Sequence, residues 1–230
     1  MYIFITNPNA RSGLGHKIWD DIETVLKKRG VAYQVYFTKY QQHATKIVRQ
    51  ITSDHERHNI IVLGGDGTVN EVINGIDCLA NVTLGYIPIG SSNDFARGLG
   101  LPADPLKALE NILAPVRHLA INIGVLEYGD KRRRFSVSTG LGFDAGVCHE
   151  VMVSRLKVFL NKIKLGKLSY AGVALHRMIS LDPKDMTVIM DGTRKLDFHK
   201  VYFATAMNLA YEGGGFKFCP KADCKDDLLD

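Results

Sequence analysis

The segment from Val62 to Gly75 reads VLGGDGTVNEVING and places three glycines around one aspartate, between an apolar run and a helical pattern. Glycines at the carboxyl end of a strand let backbone N–H groups approach phosphate oxygens without interference from side chains. The N-terminus of the following helix adds partial positive charge. These residues predict that the main-chain amides around positions 64–68 hold a phosphate group.

Asp66 stands inside this predicted cradle, where an isolated carboxylate would repel a phosphate. Its presence is explained if it binds the Mg²⁺ of a nucleotide, or if it orients a hydroxyl group or a water molecule. The alternative is a tight turn between a strand and a helix, with Asp66 as a cap on a helix that begins near Thr68. The residues of this segment alone leave both interpretations open.

The elements that must position this segment alternate between short β-rich runs and helical patterns over the first 115 residues. Strands are predicted at MYIFIT, AYQVYF, NIIVLGG and TLGYIP, each followed by a helical pattern. Such alternation predicts an α/β fold with a doubly wound parallel sheet.

The character of the sequence changes near residue 116. Longer runs rich in Val, Ile, Phe and Tyr predict mostly antiparallel strands, interrupted by a helical insert at about 149–180. We therefore expect one domain over residues 1–117 and a second, β-rich domain over 118–230. The chain stops at CKDDLLD, within an apparent start of another strand, so we expect the second domain to be truncated at its C-terminus.

Composition narrows the classes of function. The 230 residues have a formal net charge of +5, which suits an anionic substrate or an acidic membrane surface better than a nucleic-acid duplex. The four cysteines form no C-x-x-C pair, which indicates reduced thiols in the cytoplasm. No run approaches the roughly 18 apolar residues of a spanning helix. The sequence has no Walker loop, Rossmann fingerprint, paired-histidine metal motif or nucleic-acid-reading motif.

The segment GGDGTVNEVING resembles the signature of the diacylglycerol kinase catalytic-domain family, which includes bacterial diacylglycerol kinases and the sphingosine and ceramide kinases. The GGDGT core is shared with NAD kinases and, loosely, with phosphofructokinases, whereas Asn70, Glu71 and the pair Asn74-Gly75 favour the lipid kinases. NPNARSG at 7–13 and YIPIGSSNDFARGLGLP at 86–102 resemble two further blocks of the family, with Ser91 where threonine is typical.

The resemblance implies a first domain like those of NAD kinase and phosphofructokinase, followed by a β-sandwich domain that takes the lipid. It implies that ATP with Mg²⁺ lies across the loops after strands one, three and four, and that Asp66 is the catalytic residue at the reacting end of the nucleotide. The implied nucleotide-binding residues are Asn7, Pro8, Ser12, Gly13, Thr38, Gly64, Gly65, Asp66, Gly67, Thr68, Asn70, Glu71, Ser91, Asn93 and Asp94.

The last residues, EGGGFKFCPKADCKDDLLD, resemble a family region that holds a structural Mg²⁺. The implied ligands are the side chain of Asp226 and main-chain carbonyls near Asp223 and Leu228. Asp227 replaces the usual glycine, and an ordinary acidic turn is the alternative. The family's general base lies in an Asp-Gly-Glu segment that would fall beyond residue 230, so the resemblance leaves open whether this chain is active by itself.

The implied function is an ATP-dependent lipid kinase that transfers the γ-phosphoryl group to the hydroxyl of diacylglycerol or a similar lipid and gives phosphatidic acid. We expect it in the cytoplasm, peripherally bound to the inner face of the membrane, as a homodimer and without a nucleic-acid partner. The basic segment 155–167 would rest on acidic headgroups. Two alternatives remain: a phosphotransferase like NAD kinase, and a truncated, non-catalytic protein that binds nucleotide or membranes.

Overall fold

The computed structural model describes residues 1–142 and 182–230. The predicted helical insert at 149–180 and the basic segment 155–167 lie outside the described residues. The elements that surround the glycine-rich segment are all within them.

Four parallel strands form a sheet in the order β2-β1-β3-β4. The strands are β1 (Tyr2–Thr6), β2 (Tyr33–Phe37), β3 (His58–Gly64) and β4 (Val82–Pro88). The helices are α1 (Ala10–Lys28), α2 (His43–Thr52), α3 (Asp66–Gly75), α4 (Asp94–Gly98) and α5 (Pro105–Leu113), with a 3-10 turn at Leu79–Asn81. Asp104 caps α5, because its side chain accepts a hydrogen bond from the Lys107 amide at 2.9 Å.

The sheet is buried on both faces, as a doubly wound fold requires. Successive residues of β1 point to opposite faces, so Ile3 and Ile5 pack with the cluster that includes Val48 of α2. Phe4 packs in the other cluster, against Trp19 of α1. The predicted α/β class and parallel sheet are therefore confirmed.

The strand order reverses between β1 and β3, whose carboxyl ends lie side by side. Thr6 is paired with Leu63, and the Asn7 amide donates to the Leu63 carbonyl at 2.9 Å. Such a reversal separates the loops that follow the two strands and opens a crevice where ligands of open α/β sheets bind. The glycine-rich segment therefore begins at the edge of this crevice.

The later strands pair as predicted, in antiparallel hairpins. β5 (Gly124–Tyr128) pairs with β6 (Lys131–Phe135), and β8 (Lys184–Met190) pairs with β9 (Arg194–Val201). β7 (Ser138–Gly142) lies beside β10 (Phe203–Met207). The Asp-Gly pair at 191–192 has positive φ at both residues and forms the tip of the β8–β9 hairpin.

Backbone contacts divide the chain into a compact unit of residues 1–138 with 207–230 and a second unit of residues 139–206. In the first unit, the Asn208 side chain donates to the carbonyls of Asn122 at 3.0 Å and Ser136 at 2.9 Å. Leu209 is buried in the cluster that contains Phe95. Residues 207–230 thus belong to the unit that carries the glycine-rich segment, and the domain boundary at 117/118 stays a prediction.

Candidate active site

Two of the predicted loop glycines are required by close packing. A Cβ on Gly64 would lie 2.6 Å from the Thr68 hydroxyl oxygen. Gly65 packs against Gly90, and a Cβ added to Gly90 would lie 2.6 Å from the Gly65 Cα. The loops after β3 and β4 therefore touch backbone to backbone, and both contact positions need glycine.

Helix α3 begins at Asp66, two residues earlier than the predicted start at Thr68. The Thr68 amide is already bonded to the Gly65 carbonyl at 2.9 Å, so it does not belong to a phosphate cradle. The N–H groups of Gly65, Asp66 and Gly67 have no acceptor within residues 1–142 and 182–230, as expected at the first turn of a helix. The available cradle is therefore narrower than the predicted span 64–68.

Gly67 differs from its two neighbours because the fold does not require a glycine there. A Cβ at this position would meet nothing within 4 Å, and its φ is not in the left-handed region. The residue is exposed in the first turn of α3. Its missing side chain leaves open space directly beside the free amides.

Asp66 caps a helix, but the helix is α4 and not its own. Its carboxylate accepts hydrogen bonds from the backbone N–H groups of Asp94 and Phe95, both at 3.1 Å. Burial raises the pKa of the Asp66 carboxyl above its usual range, and the charge of Asp94 adds to this effect, while the two N–H donors oppose it. Asp66 therefore joins the glycine-rich segment to the NDFAR block.

Asp94 is buried beside Asp66, with 5% of its surface exposed. One carboxylate oxygen accepts from the Gly214 amide at 2.8 Å. The other, Oδ1, is buried and has no hydrogen-bond partner in the part of the chain that the structure describes. Buried carboxylate oxygens normally have a partner, so this oxygen points to a missing water molecule, cation or substrate group.

The turn that precedes α4 is held by Asn93, whose backbone is left-handed at φ 54°. Its side-chain oxygen accepts from the Gly90 amide at 2.8 Å and from the Tyr86 phenol at 3.2 Å. Burial raises the pKa of Tyr86, and the charges of Asp66 and Asp94 add to it, so this phenol remains a donor. Ser91 is exposed beside this turn.

The loop after β1 reaches the start of α3 through Asn7. Its side-chain amide donates to the Thr68 hydroxyl at 3.4 Å. Pro8 is buried, Ser12 lies within α1, and Gly13 is an exposed residue with φ 96° in the same helix. Thr38 is buried just after β2, where its amide donates to the Thr6 carbonyl at 2.9 Å. These predicted residues lie at the carboxyl edge of the sheet.

Asn70 and Glu71, by contrast, have protein partners. The Asn70 side-chain oxygen accepts from Asn74 at 2.6 Å. The Glu71 carboxylate accepts from the Ala44 amide at 3.2 Å and so supports the first turn of α2. Their assignment to the nucleotide stays a prediction.

The C-terminus of α3 is fixed by Arg134, from the basic cluster KRRR. Its guanidinium donates to the carbonyls of Ile73 at 3.1 Å and Ile76 at 2.5 Å. The Asn74 side chain exchanges two hydrogen bonds of 2.9 Å with the Arg134 backbone. Arg134 is only partly exposed, whereas the other three residues of the cluster are exposed.

The predicted Mg²⁺ ligands near the end of the chain form an acidic turn. The Asp223 carbonyl already accepts the amides of Lys225 at 2.7 Å and Asp226 at 3.3 Å, which uses both of its lone pairs. The Asp226 carboxylate accepts the Leu228 amide at 3.0 Å. No group of three metal-binding side chains occurs within the described residues. The assignment of Asp226, Asp223 and Leu228 to a structural Mg²⁺ stays a prediction.

A groove of about 980 Å³ lies elsewhere, beside β4. Its lining includes Asn59, Val82 and Thr83, at the amino ends of β3 and β4, and residues 115–123. The free amides of α3 are at the carboxyl ends of the strands. The groove is therefore separate from the candidate phosphate site.

Four residues of the site were not predicted from the sequence. Gly90 lies within the segment YIPIGSSNDFARGLGLP, but no neighbouring residue indicates its contact with Gly65. Tyr86 lies seven positions before its partner Asn93, whereas Arg134 and Gly214 are 60 and 120 positions from Asn74 and Asp94. Only the run of three glycines at 213–215 marked one of these positions in advance.

Comparison with known proteins gives the same family over both parts of the chain. Residues 1–124 match the model of the diacylglycerol kinase catalytic domain. Residues 136–230 match the model of the YegS C-terminal NAD kinase beta sandwich-like domain. The predicted β-sandwich character of the second part is therefore confirmed.

Individual relatives agree. A Bacillus subtilis protein named "Putative lipid kinase YtlR" is 30% identical, and the match covers 100% of this chain and 75% of the relative. The diacylglycerol kinase of Bacillus subtilis is 35% identical over 98% of this chain and 71% of its own length. "A putative diacylglycerol kinase from Bacillus anthracis str. Sterne" superposes with a TM-score of 0.76 at 29% identity, over 99% of this chain and 73% of that structure.

Within the described residues, no helix has both the length and the apolar character needed to cross a membrane. The chain belongs to the diacylglycerol kinase catalytic-domain family of lipid kinases.

Proposed function

We propose that this protein is an ATP-dependent lipid kinase that phosphorylates the hydroxyl of diacylglycerol or a similar lipid and forms phosphatidic acid. One observation carries the proposal. The amides at the start of α3 that have no acceptor within the described residues, and the open face of Gly67, lie next to the partly buried carboxylate of Asp66 and the buried carboxylate of Asp94. Membership in a family of lipid kinases supports the reaction class.

The phosphate groups of ATP would bind at the N–H groups of Gly65, Asp66 and Gly67. The positive end of the α3 dipole favours anions at this position. The remainder of the nucleotide would lie toward Asn7–Gly13 and Thr38, at the same edge of the sheet. Ser91, exposed in the neighbouring loop after β4, would also contact the phosphates.

Two carboxylates beside a triphosphate require a compensating cation. The unpartnered oxygen of Asp94 is the observation that fits the Mg²⁺ of the nucleotide, since Mg²⁺ prefers carboxylate oxygens. When bound, the ion would neutralise charge on the transferred phosphoryl group. Asp66 and Asp94 are the residues that would hold it.

The contribution of the chain itself is positioning. Phosphoryl transfer needs little covalent chemistry from a protein, because alignment and charge stabilisation provide most of the rate. Asp66 fixes α4 against α3, and Asp94 fixes Gly214 in turn. These bonds keep the carboxylates and the phosphate amides in one rigid arrangement.

Gly67→Ala tests the phosphate cradle. Because its Cβ meets no atom of the fold and alanine favours helix by up to about 1 kcal/mol, stability should be unchanged or higher. The new methyl group would obstruct the phosphates, so we expect ATP affinity by calorimetry to fall roughly tenfold or more. Gly65→Ala is the matched control, and it should lose stability because its Cβ would lie 3.1 Å from Gly90 Cα. Unchanged ATP affinity in Gly67→Ala would reject the cradle.

The acceptor is tested by ADP release with diacylglycerol vesicles and with NAD. Turnover with the lipid alone supports the proposal, and turnover with NAD supports the phosphotransferase alternative. ATP binding without turnover on either acceptor supports the non-catalytic alternative. The homodimer and the location at the inner face of the membrane stay predictions.

A further inference from the structure

A short loop projects two aromatic side chains beside the carboxylate pair. Glu212 and Phe216 exchange backbone hydrogen bonds of 2.9 and 3.1 Å. Between them, Gly213, Gly214 and Gly215 have φ of 68°, 90° and 105°, a region that glycine adopts without strain. We call residues 212–218 the triple-glycine loop.

The tip of the triple-glycine loop is apolar and exposed. Phe216 is 68% exposed and Phe218 is 57% exposed. Their rings contact each other edge to face, with centroids 6.2 Å apart. Single exposed apolar residues are normal on a protein surface, but two adjacent phenylalanines on one turn form a small patch that gains from leaving water.

Two positive charges lie beside Tyr211, the residue that precedes the loop. Lys217, between the two phenylalanines, places its ammonium 5.8 Å from the centre of the Tyr211 ring. The Arg97 guanidinium lies 5.9 Å from the same ring. Both cations are exposed. Aromatic side chains that enter the interface, with lysine and arginine at headgroup level, are the pattern of proteins that rest on anionic bilayers.

The loop is also fixed to the active site. The Gly214 amide donates to Asp94 at 2.8 Å, and a Cβ on Gly215 would overlap the Arg97 guanidinium. The loop that carries the exposed tip is therefore connected to the carboxylate pair by a hydrogen bond. A bilayer in contact with Phe216 and Phe218 would hold the site against the lipid surface.

We propose that the triple-glycine loop inserts Phe216 and Phe218 into the interface of an anionic phospholipid bilayer, with Lys217 and Arg97 on its headgroups. This proposal rests on the proposed function, since a long-chain lipid acceptor is presented to the site by a bilayer. The loop then serves as the contact that orients the site toward its acceptor.

The first experiment measures co-sedimentation with phosphatidylcholine vesicles that contain phosphatidylglycerol. For the double variant Phe216→Ser/Phe218→Ser we expect roughly tenfold weaker association or more, because two large apolar groups no longer leave water. Leu106→Ser/Val116→Ser, which changes two apolar residues that are 44% and 95% exposed, is the matched control and should bind normally. Equal binding of both double variants and the wild type would overturn the proposal.

A second measurement reports on the loop itself. In Phe216→Trp, quenching by brominated phospholipids should be strong, while the single native tryptophan, Trp19, is buried and gives a constant background. No quenching beyond that of the wild type would reject insertion. Lys217→Glu should weaken binding to anionic vesicles and leave the weak binding to phosphatidylcholine alone unchanged; an equal effect on both would reject the charge contribution.

Kinase activity assays distinguish a failure of the loop proposal from a failure of the proposed function. The phenylalanine double variant should lose turnover on vesicles but retain it on a monomeric short-chain diacylglycerol. If the wild type shows no turnover on any lipid, the kinase proposal fails, and sedimentation and quenching still decide the insertion of the loop.

Discussion

Asp66→Ala should reduce the stability of the fold as well as its activity. The carboxylate accepts two backbone N–H groups at the start of α4, both at 3.1 Å. Loss of a capping aspartate costs about 0.5–2 kcal/mol, and a hydrogen bond to a charged acceptor contributes about 1.5–3 kcal/mol. Burial of the charge and its repulsion from Asp94, which raise the pKa of Asp66, offset part of this gain.

We therefore expect Asp66→Ala to lower the free energy of unfolding by about 1–3 kcal/mol. Asp66→Asn keeps one acceptor oxygen and removes the buried charge, so its loss should be smaller. Urea unfolding followed by circular dichroism measures both values. Asp21→Ala, an exposed aspartate on α1, is the control and should change stability by less than about 0.5 kcal/mol.

The activity of the same variants provides a second comparison. Both Asp66→Ala and Asp66→Asn should lose phosphoryl transfer, because each removes the carboxylate beside the phosphate amides. An Asp66→Ala protein that unfolds at the same urea concentration as the wild type would refute the capping role. One that transfers phosphate at the wild-type rate would refute the assignment of Asp66 to the site.

Three further outcomes follow from the same contacts. Burial raises the pKa of Asp66 in the folded protein. As the pH rises from the pKa of an unfolded aspartate, near 3.9, to the higher folded pKa, the wild type should therefore lose stability relative to Asp66→Asn, and the difference should stay constant above that pH. Urea unfolding at a series of pH values measures this difference. Arg134→Ala should destabilise by about 1–3 kcal/mol, since it frees carbonyls at the end of α3, whereas the exposed Arg132→Ala should change little. Glu71→Ala should lower the free energy of unfolding by about 1 kcal/mol, because the Ala44 amide loses its acceptor, and Glu71→Gln should lower it by less. Thermal unfolding measures the stability of the Arg134 and Glu71 variants.

The alternation of strands and helices could be predicted from the sequence because its causes are local. The continuous apolar run of β3 is buried from Ile60 to Gly64, as a central parallel strand requires. Asp104 and Pro105 mark the start of α5 by capping chemistry that involves only neighbouring residues. Such signals need no knowledge of the remainder of the fold.

The partners of the site residues could not be predicted in this way. Asp66 was interpreted either as a ligand or as a cap of its own helix, and it caps α4 through residues 28 and 29 positions later. Gly214 reaches Asp94 across 120 positions. A single sequence shows which residues are able to form hydrogen bonds, but their partners depend on which loops meet at the sheet edge.

The polar residues of GGDGTVNEVING serve the fold to a large extent. Asp66 holds α4, Glu71 holds the first turn of α2, and Asn74 holds β6 through Arg134. A match to this signature therefore indicates a particular packing of helices around β3, which related kinases with different acceptors would share. Within the described residues, this packing leaves the amides of residues 65–67 without an acceptor and one face of Gly67 open. Because no described residue lies where a side chain at position 67 would be, Gly67 is the part of the signature that bears most directly on the proposed phosphate site.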